Sequence, residues 1–112
     1  MFIYHKGKKL VIPVTNVSFI RKGIGLMFRT RNTSSLSFEF SDEVNLALTS
    51  YFVFFPFLAI WLDKKNQVVD FRIVYPFTLS VAPSTKFNKL VEVPFNEENR
   101  KLIKFFVGGG KV

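Results

Sequence analysis

Residues 35–41, SLSFEFS, alternate strictly between apolar and polar side chains. A period of two predicts a half-buried antiparallel strand, with Leu36, Phe38 and Phe40 toward a core and Ser35, Ser37, Glu39 and Ser41 toward water. The same reading of VVDFRIV places Val69, Phe71 and Ile73 on one face and Asp70 and Arg72 on the other. KLVEVPF repeats it, with Val91 and Val93 inward, Glu92 outward and Pro94 limiting further pairing. Phe38, Phe40, Phe71, Ile73, Val91 and Val93 are expected to share one core. Phe77, Leu79 and Val81 form a further short alternating face. A strand over residues 10–14 is expected near a sheet edge, because Pro13 lacks a ladder donor. The charged LDKKNQVV between two apolar runs reads as a hairpin connection with residues 64–67 at its tip.

Helical signals are few and short. Asn16 is a candidate cap for a helix over residues 17–22, stopped by Gly23 and Gly25, and TRNTSS then reads as a turn. Asn96 is a candidate N-cap for EENRKLIKFF, whose acids precede its lysines and whose Leu102, Phe105 and Phe106 form a buried stripe. Gly108 suits a left-handed helix end. The terminal GGGK lacks both the spacing and the strand-to-helix context of a phosphate-binding loop.

Residues 44–62 carry no charged side chain, a run long enough to span a bilayer. Asn45, Thr49, Ser50 and Pro56 interrupt it, and the strands expected on either side would lose their common core if it crossed a membrane. It is therefore read as two β segments joined near Ser50, or as a pair bent at Pro56, with no membrane partner expected. The first residues lack the apolar run and small-residue site of a signal peptide. Together with the absence of cysteine, this fits a cytoplasmic protein.

The 112 residues suit a single domain, 1–112, and the hydrophobic fraction of 48% supports a packed core in which fifteen Phe are the main large units. Without cysteine there is no thiolate chemistry and no disulfide, and one histidine cannot make a multi-histidine zinc site. No cofactor or metal is expected, and His5, among Lys6, Lys8 and Lys9, reads as an ordinary exposed residue. The adjacent pairs Asp42–Glu43 and Glu97–Glu98 define neither a glycosidase gap nor an oxygen cage, and Ser34, Ser35 and Ser37 have no base beside them. No residue is assigned a catalytic role. A small-molecule enzyme would need a site assembled only by folding.

Charge points to a partner instead. The formal charge is +8, and Lys6, Lys8, Lys9, Arg21, Lys22, Arg29 and Arg31 all precede the first acid, Glu39. If they share a surface, they attract nucleic acid in a salt-dependent way, although no DNA- or RNA-binding motif accompanies them. A protein partner is the other reading.

One further pattern carries a resemblance. GLMFR (Gly25, Leu26, Met27, Phe28, Arg29), followed in order by PFLAIWLDKKNQVV and LVEVPFNEENRKLIKFFVGGGKV, resembles the domain-of-unknown-function family 192 over residues 16–112. The resemblance implies a compact, mainly β domain, barrel-like or sandwich-like, of antiparallel strands with one or two short helices and no common assigned reaction. It makes the GLMFR positions family-characteristic and leaves Arg29 as the main polar carry-over. The family's usual Trp-Met-Lys-Asn-Thr pattern stands here as Thr49 to Val53, TSYFV, and its Pro-Leu-Asp as Pro56-Phe57-Leu58, so the usual Lys and Asp are missing. The residues favour a small binding or interaction domain, with Arg29 and Arg31 as ligand-binding candidates.

Overall fold

The computed structural model describes residues 1–16, 30–47, 53–78 and 80–108. Among these residues seven strands and one helix follow in chain order: β1 (Phe2–His5), β2 (Lys8–Val11), β3 (Val14–Asn16), β4 (Ser35–Val44), β5 (Phe57–Leu62), β6 (Val68–Val74), β7 (Phe87–Pro94) and α1 (Arg100–Val107). The fold is mainly β and sandwich-like. A five-stranded sheet runs β3-β4-β7-β5-β6, and β1 and β2 form a separate hairpin. The pairings are antiparallel except that of β3 with β4, which is parallel and departs from the all-antiparallel expectation.

The sheet has a core on each face. Leu36, Phe38, Phe57, Ala59, Trp61, Phe87 and Leu90 bury one face beneath Val53 and Phe55. Leu58, Ile60, Leu62, Val91 and Val93 bury the other beneath Ile3 and Ile12 of the hairpin segment and Ile103 and Phe106 of α1. The six aspirants to one core are thus divided: Phe38, with Phe40 packed against it, belongs to the first, and Val91 and Val93, with Phe71 and Ile73, to the second. A sheet covered on both sides explains the uncharged 44–62 run. Every residue of β5 is buried, so the strand shows no alternation at all. No helix among the described residues is long and apolar enough to cross a membrane.

Double coverage also corrects three exposure assignments. Ser35 and Ser37 are buried, because the face opposite Leu36 and Phe38 looks toward the second core rather than water. Glu92 is buried at 7% exposure on the first face, opposite Leu36 and Ala59. Val69 packs on the first core, away from Phe71 and Ile73. The β5–β6 register slips between Trp61↔Asp70 and Leu62↔Val68, and the extra residue turns Val69 to the other side.

The turns follow their residues. Lys6 and Gly7 both have positive φ, 50° and 76°, as a two-residue hairpin of type I′ requires. The 64–67 tip lies between β5 and β6 as expected: Asp63 Oδ1 accepts from the amides of Lys65 and Gln67 at 2.8 and 2.9 Å, and Asn66 takes φ 64°. The expected strand over 10–14 is broken at Ile12-Pro13 into the end of β2 and the start of β3. No strand forms at Phe77, which is exposed at φ 63°; Val81 makes only an isolated bridge, and Leu79 lies outside the described residues. The expected 17–22 helix, the GLMFR segment, the Ser50 junction and the GGGK tail beyond Gly108 also lie outside them.

Candidate functional site

The chain leaves β7 into a turn that a single side chain organises. Asn96 Nδ2 donates to the Arg31 carbonyl at 2.9 Å and more distantly to that of Thr33 at 3.5 Å, while its Oδ1 accepts from the Asn99 amide at 3.0 Å. Asn96 therefore ties the 30–33 turn to the approach of α1. It is not the helix cap expected of it: α1 starts at Arg100, preceded by Asn99 at φ −98° and ψ 4°. The buried Asn99 in turn donates through Nδ2 to the Pro94 carbonyl at 2.9 Å. With both ends of the turn anchored, its side chains are held in place.

Between these turns lies a cleft of about 420 Å³, a size usual for small-molecule sites. Arg31 and Asn32 from the first turn and Asn96, Glu97 and Arg100 from the second line it; Phe95 and Ile103 supply apolar surface. Ile103 is buried in the second core, so this surface belongs to the rigid part of the fold. Arg100 Nη1 meets Glu97 Oε1 at 3.2 Å, in a pair whose carboxylate side chain is 87% exposed. Such a solvated pair is weak and can open to another anion. The stripe of α1 is shifted from expectation: Ile103 and Phe106 are buried, whereas Leu102 and Phe105 are half-buried.

Of the two candidate arginines, Arg31 stands on this cleft and Arg29 lies outside the described residues, as do Gly25, Leu26, Met27 and Phe28. Sequence reasoning missed Asn96, Asn32 and Arg100 as partners of Arg31. Asn96 and Arg31 are 65 residues apart, and no local pattern joins them.

A second cleft, of about 580 Å³, mixes Asp42, Glu43 and Asp63 with Lys64 and Lys65. One of its acids, Asp63, is already committed to turn amides. Among the described residues no group of three or more histidine or acidic side chains could hold a metal ion.

His5 is not the ordinary exposed residue expected. It is partly buried, stacked on Phe106 and edge-on to Phe71 and Phe105 at 5.5 and 5.9 Å. Burial, then the neighbouring Lys6 charge, holds its imidazole below the usual histidine range. Its aromatic partners come from one strand, β6, and the helix, both distant in sequence, so no local signal marked them.

No family model and no curated protein matches the chain. Solved structures do. A protein of unknown function from Novosphingobium aromaticivorans DSM 12444 superimposes with a TM-score of 0.74 at 13% identity, over 90% of this chain and 75% of that one. A "putative transcription regulator" from Sinorhizobium meliloti 1021 gives a TM-score of 0.73 at 14% identity, over 90% of this chain and 81% of that one. At such identities the likeness shows the fold alone.

Proposed function

We propose that the chain is a non-catalytic binding domain whose 30–33 and 95–100 cleft takes a small anion, one carrying a carboxylate or phosphate group on an apolar body. The observation that carries the reading is that Arg31 and Arg100 line one cleft together with apolar surface at Phe95 and Ile103. Guanidinium groups match the planar, bidentate geometry of such anions, and the apolar surface gives the remainder of the ligand something to cover. The cleft carboxylate, Glu97, is solvated and paired with Arg100, which supports binding over proton transfer. His5 is engaged with the aromatic cluster instead. Membership of the domain-of-unknown-function family 192 belongs to the same reading, supported by the order of the GLMFR and later blocks and by a mainly β fold. The cysteine-free composition supports a cytoplasmic setting.

Calorimetric titration with a panel of small carboxylates and phosphate monoesters tests the reading. At least one member should bind saturably to the native chain and lose most of its affinity in the Arg31→Gln/Arg100→Gln variant. A panel with no binder, or binding untouched by that variant, overturns it.

A further inference from the structure

The hairpin and α1 together carry Lys6, Lys8, Lys9, Lys101 and Lys104, all exposed, and neither element contains an acidic residue. Arg72, Lys89 and Arg100 are each paired with a carboxylate, but none of these lysines forms an ion pair with a described residue. Of the acids in the turn before the helix, Glu97 is held by Arg100. The elements adjoin: His5, paired with Lys8 in the hairpin, stacks on Phe106, and Lys8 Nζ stands 5.8 Å from the centroid of Phe105.

Rings and cations alternate on this surface. Phe2, Tyr4, Lys9 and Val11 share the outward face of the hairpin, since Phe2 pairs with Val11, Tyr4 pairs with Lys9, and the alternate residue Ile3 is buried beneath. Phe2 is 48% exposed, with Lys9 Nζ 4.2 Å from its ring centroid. Lys8, on the opposite face with His5, stands beside Phe105 where the hairpin meets the helix. An unbroken apolar face would suit insertion among lipid chains. A cation beside an exposed ring, as at Phe2 and Lys9, suits a flexible polyanion whose bases stack while its phosphates meet ammonium groups.

We propose that the hairpin–α1 surface binds single-stranded nucleic acid, with Phe2 stacking a base, Lys9 beside it on the outward face meeting the adjoining phosphate, and Lys8, on the hairpin's other face against α1, meeting a phosphate further along the strand. Although α1 borders both, Phe2, Lys8 and Lys9 are not among the residues lining the Arg31–Arg100 cleft, and either site can fail without the other.

Fluorescence anisotropy of labelled oligothymidylate with the full chain, over a range of salt, tests the proposal. Affinity should fall with salt, and the Lys8→Gln/Lys9→Gln variant should lower the slope of log K against log salt by about 1.4 if both lysines meet phosphate. Phe2→Ala should weaken binding by about fivefold or more. A matched duplex should bind more weakly and be indifferent to Phe2→Ala. The Arg31→Gln variant, outside both elements, should bind the oligonucleotide as the native chain does. All these positions are largely exposed, and unchanged unfolding midpoints verify that the variants are folded. No binding at low salt, equal binding of strand and duplex with no response to Phe2→Ala, or binding only to vesicles containing phosphatidylserine overturns the proposal; the last outcome assigns the surface to a membrane.

Discussion

His5 and Phe106 lie ring upon ring, with centroids 4.9 Å apart and planes inclined by 21°. The contact joins β1 to α1 over the second core and closes a cluster with Phe71 and Phe105, whose rings are edge-on to the imidazole. Its consequence is a dependence on pH. Burial and Lys6 lower the folded-state pKa below 6.5, so the fold prefers neutral imidazole and the unfolded chain takes up the proton first. Stability is full above about pH 6.5 and declines as pH falls through the interval between that value and the folded pKa. Urea unfolding at a series of pH values should show this decline in the native chain and a smaller one in His5→Phe. Identical profiles would contradict the assignment.

Phe38 and Phe71 should respond differently to truncation. Phe38 is 2% exposed and interior to the first core, so Phe38→Ala should cost about 3 to 5 kcal/mol. Phe71 is only half-buried, and Phe71→Ala should cost about 1 to 2 kcal/mol. Denaturant unfolding with unchanged m-values measures both, and equal losses would contradict the difference in burial between the two rings.

Asn66 is the tie between the β5–β6 tip and the hairpin. Its Nδ2 donates to the Phe2 carbonyl at 2.7 Å, its carbonyl accepts from the Tyr4 amide at 2.9 Å, and Lys89 Nζ donates to its Oδ1. Asn66→Gly keeps the positive φ and removes the side-chain bonds, for an expected loss of about 1 to 2 kcal/mol. Asn66→Ala adds backbone strain and should lose more. Unfolding free energies of the two variants check the order.

How much of this was legible in the sequence depends on how far each feature reaches. Leu36 and Phe38 were readable because their neighbours alternate locally, and the 64–67 tip because its turn residues are adjacent. Ser35, Ser37 and Glu92 were misplaced by the rule that polar means outward. That rule holds for a sheet with one wet face, and here the hairpin and α1 cover one face while Val53 and Phe55 cover the other. Val69 was misplaced by one inserted residue, which a period-two pattern cannot register. Arg31 was recognisable as a candidate, but its partners were not: the cleft depends on an Asn96 bond to a distant carbonyl, and backbone acceptors leave no trace in residue identity.

Asn96 should accordingly control the cleft without itself supplying charge. Asn96→Ala leaves the Arg31 carbonyl and Asn99 amide without this partner, at a cost of about 1 to 2 kcal/mol in stability. Ligand affinity should fall while Arg31 and Arg100 remain in place. Calorimetry on the folded variant checks this, and native affinity would show that the tie is structural only.

The most direct test of the central claim, an anion-binding cleft, is an amide chemical-shift titration of the isotopically labelled chain with the tightest-binding member of the carboxylate and phosphate panel, or with phenyl phosphate if calorimetry finds none. The account predicts saturable shifts concentrated at Arg31, Asn32, Asn96, Glu97 and Arg100, and their loss in Arg31→Gln/Arg100→Gln. Shifts that fail to saturate, or that spread over the exposed lysines and leave these residues unmoved, would contradict it.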